Sequence, residues 1–275
     1  MTEFSLSRRF DFLGHAIAYD VFGEGLPLVC IHGTPFSSVV WRDIARELSH
    51  RFQVICFDLL GYGQSDMPDT DVSLGVQNNV LAALFAELAL DRPRVLAHDF
   101  GGATALRGHI LNGLQYSRLI LIDPVAIRPW GSPFVQHVRD HESAFAGLPA
   151  YLQRALLETY IDGAVARPIA TERLAPLVSP WLSETGQKAF YRQIAQMDPK
   201  YTDAIESRFD EVGCPTSLLW GVDDEWIPVD SGRRLSRLIP NCQYREIPFC
   251  GHLMQWDAPE AIVAEALNFF TATPA

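Results

Sequence analysis

Cationic residues are in short supply: 22 Lys and Arg stand against 33 Asp and Glu, for a formal net charge of −11. That balance argues against nucleic acid or an anionic membrane as the main partner, since both are met by concentrated positive charge. Long apolar runs are also missing. No stretch approaches the roughly 18–20 residues needed to span a bilayer. Residues 1–20 mix charged and apolar side chains, with neither the apolar core nor the small-residue cleavage site of a secretory leader. The cytoplasm is therefore the expected location. Cysteine is sparse and odd in number, at Cys30, Cys56, Cys214, Cys242 and Cys250, without metal-type spacing. Buried, reduced thiols are expected. With no His/Cys cluster and no Gly-rich phosphate loop, neither a metal nor an organic cofactor is expected. The expected partners are a small-molecule substrate and water, acting on a monomer or homodimer.

The 275 residues, 48% of them hydrophobic and 20% charged, are enough for one sizeable domain carrying an insertion. No internal repeat or low-complexity tract is visible. Two extended stretches meet near Gly14. Short apolar runs then follow at 27–33, 53–58, 94–99, 118–123, 216–221 and 243–248, rich in Val, Ile, Leu and Cys. Between them lie stretches with helical apolar spacing, such as 38–49, 76–89 and 101–113, read as amphipathic helices. Such alternation predicts an α/β fold with a doubly wound, mostly parallel sheet covered on both faces. It breaks once: after Asp123 the next strand begins near Thr216, roughly ninety residues on, too long for a plain crossover. Helical patterns at 149–161 and 185–196 lie within the gap. The expected organisation is a core of residues 1–124 and 211–275, with a helical cap at 125–210 roofing the strands' carboxyl ends, where open α/β sheets bind ligands.

Three loops at strand ends carry the chemistry. Ala97-His98-Asp99-Phe100-Gly101-Gly102 joins the 94–99 strand to a helix. A small residue two before Asp99, and glycines two and three after, meet the steric needs of a nucleophile elbow. Aspartate at its centre is ionised at neutral pH and needs no base to become nucleophilic. Asp224 follows the 216–221 strand in Gly221-Val222-Asp223-Asp224, and His252 follows the 243–248 strand in Cys250-Gly251-His252. The order nucleophile, acid, histidine is that of elbow enzymes. Asp223 and Asp123 are the competing acids. In His32-Gly33-Thr34-Pro35, the Thr34 amide can converge with that of Phe100 on an oxyanion. Asp58 to Asp66 reads as a structural turn, and Ser37, Ser38 and Ser65 lack an elbow. Phe36, Phe100, Trp130 and Trp181 are expected to form apolar walls.

Taken together, His32–Pro35, Asp58–Asp66, His98–Gly102, Gly221–Pro228 and Gly251-His252 resemble the α/β-hydrolase superfamily across essentially the whole chain. The Asp-centred elbow is similar to epoxide hydrolases and haloalkane dehalogenases rather than lipases or esterases. The resemblance implies an aspartyl-ester intermediate that His252, oriented by Asp224, hydrolyses through water. Epoxide opening would need a proton donor. Among Tyr151, Tyr160, Tyr191 and Tyr201, the Tyr191-Arg192 pair most resembles the epoxide-hydrolase acid. Haloalkane or haloacid dehalogenation would need N–H donors for halide. Phe100 and Thr34 depart from the residues dehalogenases use, leaving Trp130 or Trp181 to compensate. A non-catalytic receptor binding ligand in the capped pocket is the alternative of another class.

Overall fold

A computed structural model describes residues 4–272, so the outermost limits of the expected core, 1 and 275, lie outside the described residues. Eight strands form one sheet: β1 (Arg8–Phe12), β2 (His15–Phe22), β3 (Leu26–Ile31), β4 (Phe52–Phe57), β5 (Arg94–His98), β6 (Arg118–Ile122), β7 (Thr216–Gly221) and β8 (Gln243–Ile247). Their spatial order is β1-β2-β4-β3-β5-β6-β7-β8. β1 and β2 form a hairpin through Leu13 and Gly14, both at positive φ, as a two-residue turn between right-twisted strands requires. β2 also runs antiparallel to β4, and the remaining pairings are parallel. The continuous apolar character of β5, β6 and β7 follows from their place mid-sheet, where both faces are covered.

The helix Phe100–Asn112 departs from the amphipathic reading: every residue from Phe100 to Gly108 is buried. It packs on the sheet and also meets the helices Leu74–Glu87 and Lys200–Glu206, leaving its first two turns no solvent face. Arg107 lies within this contact and donates to Leu74 O, Asn78 Oδ1 and Tyr201 O, partners that offset the cost of burying its charge.

Between β6 and β7 the regular structure is helical: Pro133–Asp140, Glu142–Ala146, Ala150–Asp162, Thr171–Val178, Glu184–Ala195 and Lys200–Glu206. Ser132 and Ser183 cap two of these helices by accepting the Val135 and Gly186 amides. The segment docks on the strand-end loops through specific polar contacts. The Trp181 indole donates to Pro35 O at 2.9 Å, and the Val72 amide donates to Gln196 Oε1 at 2.7 Å. No helix among the described residues is long and apolar enough to cross a membrane.

Candidate active site

Asp99 stands at the end of β5 with φ 52° and ψ −117°, a conformation that costs a non-glycine residue about 1–3 kcal/mol and persists only when its surroundings impose it. They do so here. The Asp99 amide donates to Ile122 O, while its carbonyl accepts from the amides of Ala103 and Val125. Any side chain at Gly101 would collide with the carbonyls of Ile31 and His32, and one at Gly33 would overlap Asp99 itself. The two glycine positions thus let the elbow sit tightly against the end of β3.

The Asp99 carboxylate has two differently committed oxygens. Oδ1 accepts the Thr34 amide at 2.8 Å, and Oδ2 lies 3.3 Å from His252 Nε2, an ion-pair distance without hydrogen-bond geometry. Burial opposes its ionisation. The neighbouring His252, and then His98 and the Phe100 amide, outweigh burial and hold the carboxyl below its ordinary range. On the far side of the ring, His252 Nδ1 is 2.8 Å from Asp224 Oδ2, and Asp224 Oδ1 accepts the amides of Trp226 and Ile227. Burial lowers the His252 pKa, but Asp224 and then Asp99 more than reverse it, leaving the imidazole well above its usual value.

The competing acids are placed elsewhere. Asp223 is exposed. Asp123 is buried, with Oδ1 accepting the Gly221 amide and Oδ2 unpartnered. Burial, followed by repulsion from Asp224, raises its pKa strongly, so it is held protonated. The turn at 58–66 is structural as expected: Asp58 accepts the amides of Ser38 and Gln64, and Ser65 Oγ donates to Asp58 O.

A cavity of about 30 Å³ opens on Asp99, lined by Thr34, Phe100, Trp130, Tyr160, Met197 and Trp226 among others. Two of the four expected wall residues, Phe100 and Trp130, are among these. Phe36 instead stacks behind Trp226 at 6.1 Å, and Trp181 packs edge-on to Tyr62 and Phe190. Neither lines the cavity. Tyr191, the expected proton donor, is also turned away: its hydroxyl donates to Gln153 Oε1 at 2.5 Å inside the helical insert. Tyr160 occupies the cavity wall in its place. Burial raises its phenol and the nearby Asp99 charge raises it further, so the hydroxyl keeps its proton. The indole N–H groups of Trp130 and Trp181 are engaged by Thr202 Oγ1 and Pro35 O.

Three participants were not foreseen. Trp226, directly after the acid loop, lies between Tyr160 (4.6 Å, stacked) and His252 (5.0 Å). Gln193 Oε1 accepts from both Thr34 Oγ1 and Tyr62 OH, at 2.6 and 2.9 Å. His98 Nε2 lies 2.9 Å from His252 O and donates to it, as burial, and then His252, push this imidazole down to about 3 and keep it neutral. Neighbouring motif residues hinted at Trp226 and His98, whereas nothing local marks Gln193.

A buried Asp-His-Asp cluster at the carboxyl ends of a mostly parallel sheet, beneath a helical segment, defines a protein of the α/β-hydrolase fold. The chain belongs to the alpha/beta hydrolase family, whose pattern matches residues 28–266. An alpha/beta hydrolase fold protein from Burkholderia ambifaria is 55% identical, with a TM-score of 0.94 over 96% of this chain and 98% of its own. The 2-hydroxy-6-oxo-2,4-heptadienoate hydrolase of Pseudomonas putida is 27% identical over 259 residues, 91% of each protein. An epoxide hydrolase solved without ligand shares the fold at 22% identity and TM-score 0.77, covering 96% of this chain and 97% of that one.

Proposed function

We propose that this hydrolase works through a covalent ester on Asp99, on small neutral substrates with an electrophilic sp³ carbon, epoxides above all, and that residues 125–210 act as its cap. The observation that carries this reading is the division of labour at Asp99, a residue of the cavity wall: Oδ1 rests on the Thr34 amide while Oδ2 lies 3.3 Å from His252 Nε2.

Oδ2 attacks carbon, forming a C–O bond as the epoxide C–O bond breaks, and the Tyr160 hydroxyl gives its proton to the departing oxygen. Esterification removes the charge of Asp99, one of the two carboxylates that hold the proton on His252. The imidazole now gives up that proton, which returns to the Tyr160 phenolate, and is left neutral and able to act as a base, with Asp224 still fixing Nδ1. His252 Nε2 then takes a proton from water as the hydroxide adds to the Asp99 ester carbonyl. The oxyanion forms on Oδ1, against the Thr34 amide and, by its position after the nucleophile, that of Phe100. Collapse releases the alcohol oxygen, which recovers the proton from His252; the hydroxyl proton left on the Asp99 carboxyl then passes to His252, restoring the carboxylate and the charged imidazole.

The indoles expected to serve a halide are otherwise engaged, which favours the epoxide reading. Both cap indoles expected to cradle a halide already donate within the protein, whereas a phenol lines the cavity. The Pseudomonas relative is named for hydrolysis of an oxo-dienoate acid. Among the described residues, an anionic substrate of that kind would find no Lys or Arg in the cavity wall, only the like charge of Asp99. Against the non-catalytic receptor stands the intact Asp224–His252 pair.

A single turnover in H₂¹⁸O, with a panel of alkyl and aryl epoxides, haloalkanes, haloacids and nitrophenyl esters, tests the reading. Heavy oxygen entering the Asp99 carboxylate, with unlabelled oxygen in the first product formed, is the expected outcome. Label appearing directly in that product would mean that water attacks the substrate itself.

A further inference from the structure

The cavity at Asp99 holds about 30 Å³, space for roughly two waters. A reactive head fits there; the remainder of an organic substrate does not. Within the insert lies an open groove of about 680 Å³, formed by Phe134, Phe145, Leu148, Leu152, Leu156 and Tyr160 among its lining residues. Its volume falls in the range of ligand pockets, roughly 300–1,000 Å³. Tyr160 belongs to both linings, so the groove and the cavity adjoin at this side chain. The two spaces are also joined by a run of aromatic contacts. Phe145 meets Phe134 at 5.9 Å, Phe134 meets Tyr160 at 4.8 Å, Tyr160 meets Trp226 at 4.6 Å and Trp226 meets His252 at 5.0 Å.

We propose that this groove is the subsite for a neutral, apolar tail, an alkyl chain or aryl group carried by the substrate whose reactive carbon reaches Asp99. The proposal deepens the reading of Asp99 as the seat of reaction and rests on it for the position of the head. Among the described residues the groove lining contains no charged side chain, its polar atoms being hydroxyls of Thr159 and Tyr160. An ionic tail would lose its hydration there without a counter-charge, whereas each buried methylene is favoured. Leu152 lies in this lining yet remains 43% exposed, apolar surface that a bound tail would cover. Adjacency to the Asp99 cavity at Tyr160 is what commits the groove to substrate rather than to a protein partner.

Two measurements test the subsite. In the first, kcat/KM is followed across 1,2-epoxyalkanes from epoxybutane to epoxydecane. The expected rise is about fourfold per added methylene, and Leu152→Glu is expected to lower the ratio of the longest to the shortest member. Turnover without chain-length dependence would overturn the subsite while leaving Asp99 chemistry standing. The second is calorimetric titration of decanamide, an uncharged unreactive probe, into wild type, Asp99→Asn and Leu152→Glu. Binding that survives Asp99→Asn and weakens in Leu152→Glu supports the subsite, even should no epoxide be turned over. Absent binding, or binding indifferent to Leu152→Glu, overturns it.

Discussion

Asp224 Oδ2 and His252 Nδ1 lie 2.8 Å apart, with both side chains fully withdrawn from solvent. Since Asp224 Oδ1 is already occupied by two backbone amides, the carboxylate cannot turn away from the ring. It fixes which nitrogen faces Asp99. Replacing it with Asn leaves the geometry but allows the wrong tautomer, and a loss of roughly 10³–10⁴-fold in kcat is expected. Asp123→Asn is the control. That carboxyl is held protonated and accepts only the Gly221 amide, so Asn should keep activity close to wild type. Reversed outcomes for the two variants would make Asp123 the acid.

Stability should fall toward acid pH partly through His98. Burial, then His252, lowers its native pKa to about 3, whereas the unfolded side chain titrates near about 6.5. Between these values the unfolded state binds a proton that the native state refuses, so stability drops as pH decreases. Asp99, with its lowered pKa, acts in the same direction: its contribution is present above the ordinary carboxylate value and lost as pH falls through the native one. His252 acts oppositely. Its raised pKa stabilises the fold below about 6.5 and that contribution is lost as pH rises through the native value. His98→Gln, which can still donate to His252 O, should flatten the acid limb by about 1–3 kcal/mol between roughly pH 6.5 and 4.5 in urea titrations. An equally steep limb in the variant would remove His98 from this explanation.

The two tyrosines of the insert should separate cleanly. Tyr160→Phe removes the phenol in the cavity wall and should slow epoxide opening by roughly 10²–10⁴-fold, with little effect on folding. Tyr191→Phe removes a buried hydrogen bond to Gln153 and should cost about 1 kcal/mol of stability while leaving ring opening near normal. Rapid-quench rates of the first half-reaction, set beside denaturation curves, distinguish them. Ring opening that depends on Tyr191 and ignores Tyr160 would restore the assignment made from the Tyr191-Arg192 pair.

The strand-end motifs were legible because each obeys a local rule. The glycines around Asp99 answer a steric need of the turn, and the order of Asp99, Asp224 and His252 follows from the parallel strands β5, β7 and β8 ending on one side of the sheet. All six apolar runs became strands within a residue or two of their expected limits. The insert was less legible. Tyr160 and Tyr191 both sit on helices with apolar neighbours, and only the docking of those helices decides which hydroxyl meets the cavity. Gln193 acts across more than a hundred residues of sequence from Thr34 and Tyr62, a contact with no local pattern. Helix Phe100–Asn112 was misread as amphipathic for a related reason: the helices covering its outer side are set by tertiary packing.

The most direct test of the central claim is a search for the ester in His252→Gln. Asp99 is charged without the histidine, so attack on carbon should proceed, whereas hydrolysis of the ester should not. Incubated with a turned-over epoxide, the variant should consume one equivalent and stop. Intact-protein mass spectrometry should then show the added substrate mass, and peptide mapping should locate it on the segment containing Asp99. An adduct elsewhere, or wild-type turnover retained by Asp99→Ala, would contradict the assignment of Asp99 as nucleophile.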